Sequence, residues 1–293
     1  MPPAARQYEP RHPYHATRLQ NTGAPMTERH VTVEQQGRVG LVFLDRPDRR
    51  NSYTPLMALQ LQEALVDFDA DPEVSVIVVS GRGKHFGVGA DLDMNWRDEK
   101  THGVETLTEP EKAPWNLNTP IVAAINGDAI GVSLTWAMQA DIRVVADSAR
   151  LAFSFNRVGI MPDRGSTWLL PRLAGFGVAM DLLLTGRTID GTEFERRGLA
   201  THIATPEDVL KVAVELATDM AEHCAPVSMT ATKRLMYEFL ESTDRVAAYN
   251  RERRTLTWIR TCGETLRGIA AFKEKRAPEW GTTKHTRIPA ELR

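Results

Sequence analysis

Cysteine is almost absent. Cys224 and Cys262 are the only two in 293 residues, and they share no CxxC-type spacing. That argues against a disulfide framework or a thiolate zinc site, and it fits a reducing, cytoplasmic setting. Long apolar runs are missing too. None approaches the ~20 residues a membrane helix needs, so no membrane partner is expected. Nor is there an excess of positive charge. With 36 Lys and Arg against 38 Asp and Glu, the net charge is −2, and no basic field marks nucleic acid as a partner. No internal repeat or low-complexity stretch appears.

What remains is an ordinary globular composition, 42% hydrophobic and 25% charged, long enough for one large domain or a domain with a helical appendage. Residues 1–25 read as a flexible extension. Pro2, Pro3, Pro10, Pro13 and Pro25 stand among scattered His and Arg, with no apolar stretch of the secretory kind. Met26 is an alternative start.

From residue 31 the pattern alternates. Runs 31–34 and 39–44 read as a hairpin divided near Arg38, Val39 and Gly40. Thr54-Pro55 reads as an N-cap with proline in the first turn, opening a helix that Asp71-Pro72 ends. The continuous apolar run 74–79 is that of a strand buried on both faces, and 121–125 and 142–146 follow it. Strand, helix and strand in alternation predict a parallel α/β sheet. Residues 151–155 read as a further short extended run. Segment 96–115 is polar and reads as a lid or substrate-lining loop. From residue 179 the chain turns helical, with amphipathic stretches at 180–184, 193–199, 210–221, 226–240 and a long last helix over 256–272.

Two stretches organise this pattern. Gly87-Val88-Gly89-Ala90-Asp91 and Asn126-Gly127-Asp128-Ala129-Ile130-Gly131-Val132 each take an apolar strand into a Gly-rich turn and toward a predicted helix. Such turns leave backbone N–H groups unpaired. Two of them facing one oxygen make an oxyanion hole, suited to a carbonyl that becomes an enolate.

Four motifs, in order, resemble those of the enoyl-CoA hydratase/isomerase (crotonase) superfamily. Leu44-Asp45-Arg46-Pro47 with Asn51 is similar to its N-R-P-x-x-x-N motif, and Phe86 to Leu92 to its F-x-x-G-A-D-L turn. Ala124 to Gly131 is similar to A-x-N-G-x-A-x-G, and Gly159-Ile160-Met161-Pro162-Asp163 with Gly165 and Thr167 to G-x-x-P-x-x-G-x-T. The resemblance runs from about 31 to 280. It implies an α/β fold, a spiral of ββα units over 26–225, with a helical trimerisation region over 226–293 and assembly as a homotrimer or homohexamer. It implies an acyl-CoA thioester as substrate, with coenzyme A part of that substrate and no metal or redox cofactor. It places the oxyanion N–H groups at Ala90 and Val132. Asn51 and Ser52 would lie near the CoA adenine. Phe272 and Lys275 would reach a neighbouring subunit's CoA, with Lys275 pairing with phosphate.

The family's hydratases use two glutamates, and this chain has Thr135 and Phe155 at those positions. Neither is a general acid or base near neutral pH. The carboxylate in place is Asp163. One carboxylate suffices for isomerisation, taking a proton from one carbon of a thioester dienolate and returning it to another. The alternatives are hydration with water held another way, dehalogenation with Asp163 as nucleophile, and an acyl-CoA-binding protein without catalysis. The dehalogenase pattern has Trp where Phe155 stands. Plainer readings are weighed beside these. Asp163 also suits a helix N-terminus, Asp91 reads as a structural cap, and mid-helix Thr135 as packing. Arg164 reads either as a partner of Asp163 or CoA, or as a surface arginine. His85 reads as surface or packing.

Overall fold

The structure, a computed structural model, describes residues 28–94, 110–289 and 292. The N-terminal extension and most of the proposed lid loop, 96–109, lie outside the described residues.

Strands β1 (Val31–Gln36) and β2 (Val39–Leu44) form the antiparallel hairpin. Its turn falls at Gly37 and Arg38, earlier than the sequence reading had it, because Gly37 takes φ +56°. Helix α1 (Pro55–Ala70) starts as expected, with the Thr54 hydroxyl accepting from the Met57 N–H at 3.0 Å and Asp71 as C-cap. Strands β3 (Val76–Gly81) and β4 (Ile121–Ile125) are buried along their whole length. β3 begins two residues later than the apolar run suggested.

The second Gly turn holds a short strand, β5 (Ala129–Ile130), before helix α2 (Val132–Met138). Then come β6 (Ile142–Ala146) and β7 (Leu151–Ala152). The extended run expected over 151–155 is cut short, since Ser154–Val158 winds into a 3-10 turn closed by Gly159 at φ +77°. Helices α3 (Ser166–Ala174), α4 (Phe176–Thr185) and α5 (Gly191–Arg196) lead to β8 (His202–Ala204). Four helices follow: α6 (Val209–His223), α7 (Pro226–Glu241), α8 (Arg245–Thr261) and α9 (Glu264–Glu274). The single last helix read from the sequence is therefore two. Gly263 at φ +83° breaks it, and the Asp244 carboxylate caps α8 by accepting from the Val246 and Ala247 N–H groups.

The main sheet has the order β1-β2-β3-β4-β6-β8, parallel except for the β1–β2 pair. α1 packs on β1 and β2, while α6 crosses β2, β3, β4 and β6. A second, two-stranded parallel sheet joins β5 to β7. It carries the second Gly turn toward the first, with Ala129 buried in the core and bridged to Gly87. No described helix is long and apolar enough to cross a membrane.

Candidate active site

The two Gly turns are zipped to each other by backbone. Gly87 N–H donates to Asp128 O at 3.0 Å, and Ile130 N–H returns a bond to Gly87 O at 2.9 Å. Gly89 N–H reaches the Ser133 hydroxyl at 3.3 Å, on the first turn of α2. Gly131 N–H donates to Ala152 O at 2.8 Å, anchoring the second turn on β7. Both glycines need their lack of a side chain. Gly89 sits at φ +92°, where a Cβ would stand 3.2 Å from Ile130 O. Gly131 sits at φ +55° and ψ −127°, a region closed to other residues.

The first turn is also braced from the other side. Tyr53 N–H donates to Gly89 O at 2.7 Å, and Asp91 N–H donates to Tyr53 O at 2.9 Å. That parallel bridge turns the N–H of Ala90 away from Tyr53. Among the described residues the N–H groups of Ala90 and Val132 donate to no acceptor. Val132 is the first residue of α2, where such a donor is expected to be free.

The carboxylate reaches the same place. Thr135, one turn into α2 and almost fully buried, donates its hydroxyl to Asp163 Oδ1. Gln139, four residues on along the same face, donates Nε2–H to Arg164 O at 2.9 Å. Loop 162–165 is thus clamped onto α2 at two points. The Asp163 carbonyl meanwhile accepts from Ser166 N–H at 2.9 Å and Ser166 Oγ at 2.7 Å, so the α3 end is served by backbone while the side chain turns to Thr135. Thr135 is therefore a partner of the carboxylate as well as packing. Phe155 is buried, its ring 4.0 Å from where a Gly131 Cβ would lie, and forms an apolar wall.

Arg164 does something the sequence did not suggest. It holds φ +50°, and its guanidinium donates to the Tyr53 hydroxyl at 2.9 Å with its carbon 5.2 Å from the ring centre. Its Nε is buried without a partner. Strain and an unmet donor on one residue mark a place where the fold gives up stability. Tyr53 itself is 2% exposed. Burial pushes its hydroxyl pKa up, the Arg164 charge pulls it down, and the nearby Asp163 charge raises it again. Tyr53 was missed because its hydroxyl meets a residue 111 positions away.

Asn51 and Ser52 lie beside the first turn, but their side chains are spent on protein. Asn51 is fully buried at φ +54°. Its Oδ1 accepts from Arg46 N–H at 2.8 Å, and its Nδ2 donates to Arg82 O at 3.0 Å and His85 O at 2.7 Å. The Ser52 hydroxyl accepts from Arg46 at 3.0 Å and donates to Asp91 at 3.2 Å. Both side chains thus brace the loop, which leaves the backbone of this segment as the part that would meet the adenine expected near it. Asp91 is the structural cap it was read to be. Arg46 pairs with it at 2.8 Å, and that hydrogen bond holds its carboxyl below the usual range. His85 is half-buried, its Nδ1 3.5 Å from Asp128. Phe272, 85% exposed, and Lys275 lie at the far end of α9, and no described contact joins them to the turns. An open cleft of about 930 Å³ adjoins the site, with Gln139, Arg164, Trp168, Trp115 and Tyr237 in its wall.

The paired turns with their two free N–H groups, and the Asp163 carboxylate held at Thr135, make up the candidate site. The family model for enoyl-CoA hydratase/isomerase matches residues 34–283, and the chain belongs to that family. It is 32% identical over 263 residues to a Mycobacterium tuberculosis protein named as a probable enoyl-CoA hydratase, covering 87% of this chain and 99% of the other. It is 31% identical over 254 residues to the 2,3-dehydroadipyl-CoA hydratase of Escherichia coli K12, covering 85% and 98%. The crystal structure of an enoyl-CoA hydratase from Bacillus anthracis superposes with a TM-score of 0.79 at 28% identity, covering 86% and 99%. The fold is accordingly the crotonase α/β fold, and the chain is an acyl-CoA enzyme of that family.

Proposed function

We propose that this enzyme isomerises an enoyl-CoA through a thioester enolate, with Asp163 as the acid/base. The observation that carries the reading is the Asp163 carboxylate held by Thr135, one turn along α2 from the free N–H of Val132. Asp163 takes a proton from C2 of a 3-enoyl thioester. The electron pair moves onto the thioester oxygen, which Ala90 and Val132 N–H groups stabilise. The protonated carboxyl then delivers the proton to C4, and the double bond settles between C2 and C3. Each such backbone donor contributes on the order of 3 kcal/mol to the barrier. Phe155 keeps the reacting carbons in apolar surroundings.

Water addition is the second reading, favoured by two hydroxyls at the carboxylate's loop: Thr135 donates to Asp163, and Tyr53 accepts from the neighbouring Arg164. Mass spectrometry of a panel of 3-enoyl- and 2-enoyl-CoA thioesters incubated in D2O separates the two. Isomerisation gives a product without added water, deuterated to the extent that the Asp163 proton exchanges with solvent before it returns. Thioester binding with neither exchange nor product would move the assignment to a non-catalytic acyl-CoA-binding protein.

The proposal extends to assembly as a trimer or hexamer. Met161, Phe176, Met180 and Leu184 are exposed apolar side chains that line a 300 Å³ groove, with exposed Val158 and Ile160 just before Met161 in the chain, a surface that suits a second copy. Light scattering should give a mass near three or six times 32.7 kDa. A monomer at micromolar concentration would contradict it.

A further inference from the structure

We infer that Tyr53 is a second catalytic group of this site, a neutral hydroxyl that holds water against Asp163 so that the enolate machinery also hydrates a 2-enoyl thioester. The inference rests on the enolate reading above and names a residue for the water-holding role that the missing glutamates leave unfilled.

Three observations place the phenol. Its backbone is bridged to Ala90, so the ring starts at one oxyanion donor. Its hydroxyl ends at Arg164, the neighbour of Asp163, and feels the Asp163 charge. In the inferred pose, with the thioester oxygen at Ala90 and Val132 and C2 facing Asp163, C3 lies on the side of Tyr53 and Arg164. The hydroxyl oxygen accepts from Arg164, and among the described residues its own proton is donated to no acceptor. Accepting from a cation polarises the O–H and makes it a stronger donor. Burial pushes its pKa up, which keeps the proton on the phenol. Tyr53 thus orients and does not titrate.

The step balances with one carboxylate. Solvent water accepts the Tyr53 hydrogen bond, and its oxygen bonds to C3. Its proton passes to Asp163, and the C2=C3 pair moves onto the thioester oxygen. The proton then returns from Asp163 to C2, giving a 3-hydroxyacyl thioester. The strained αL backbone of Arg164 has a purpose in this scheme. It turns the guanidinium onto Tyr53, fixing the phenol where the water must sit.

The test compares two reactions in the full-length protein. One is exchange of the C2 proton of the saturated four-carbon CoA thioester in D2O, which needs the enolate and no added water. The other is water addition to the four-carbon 2-enoyl-CoA. In Tyr53→Phe the ratio of water addition to exchange should fall about tenfold or more, the loss of one hydrogen bond made to the reacting group. Arg164→Met keeps the phenol and removes its donor. It should lower the same ratio several-fold, and it carries the test if Tyr53→Phe does not fold. A Tyr53→Phe protein that loses both reactions in proportion, or neither, would overturn the role. Wild-type exchange without any water addition would also overturn it and leave the enolate reading standing. Absence of exchange in wild type would remove the enolate reading itself.

Discussion

Asp163 is held by Thr135, and under the proposed mechanism that pairing lets a chain with Thr135 and Phe155 in place of the family's two glutamates keep a usable carboxylate. The motif position of Asp163 was legible because Pro162 and Gly165 fix the turn around it. Its partner was not, since a threonine in mid-helix reads equally well as packing. Tyr53, and its contact with Arg164, were invisible for a similar reason: contacts between distant segments leave no local pattern. The Asp91 carboxyl shows how much the turn depends on one ion pair. Its folded pKa lies below its unfolded value, so its contribution is present above about pH 4 and is lost as pH falls through the folded value. Asp91→Asn leaves the Arg46 guanidinium largely buried without its charge partner, and should destabilise by roughly 3 kcal/mol at pH 7. Urea melts should show the gap from wild type closing below about pH 4. A gap independent of pH would place its origin outside the ion pair.

At the scale of elements, the strand-turn pattern was readable because β3 and β4 are buried on both faces and so carry continuous apolar runs. The glycines that end them mark close backbone approach. What the pattern did not reveal was β5, two residues long, nor the 3-10 turn that carries Phe155. Both are set by pairing with β7 and by Gly159, beyond the reach of periodicity. The same logic makes Gly89 a sharp test of the oxyanion hole. Gly89→Ala puts a Cβ into a left-handed backbone and 3.2 Å from Ile130 O, displacing the N–H of Ala90. Turnover should fall on the order of 10²-fold, the cost of one misplaced donor, while thioester binding weakens much less. Unchanged turnover in a folded variant would remove Ala90 from the site.

At the scale of the whole molecule, the C-terminal tail ties back to the core. Lys284 is buried and donates Nζ–H to Phe68 O at the end of α1 at 2.5 Å. Burial pushes its pKa down to about 8 from 10.5. Between those values the unfolded chain binds the extra proton, so the folded state gains stability as pH rises from 8 to 10.5. Wild type minus Lys284→Met should show that gain, at most about 3 kcal/mol, in melts across this window. A flat difference would mean the ammonium is solvated in the folded protein. The proposed chemistry needs one base acting beside one oxyanion hole. The most direct measurement is deuterium incorporation at C2 of an acyl-CoA thioester, by wild type and Asp163→Asn, with thioester binding measured alongside. Exchange by wild type that falls about 10²-fold or more in the variant, with binding retained, is the predicted result. Equal exchange by the two proteins would contradict it.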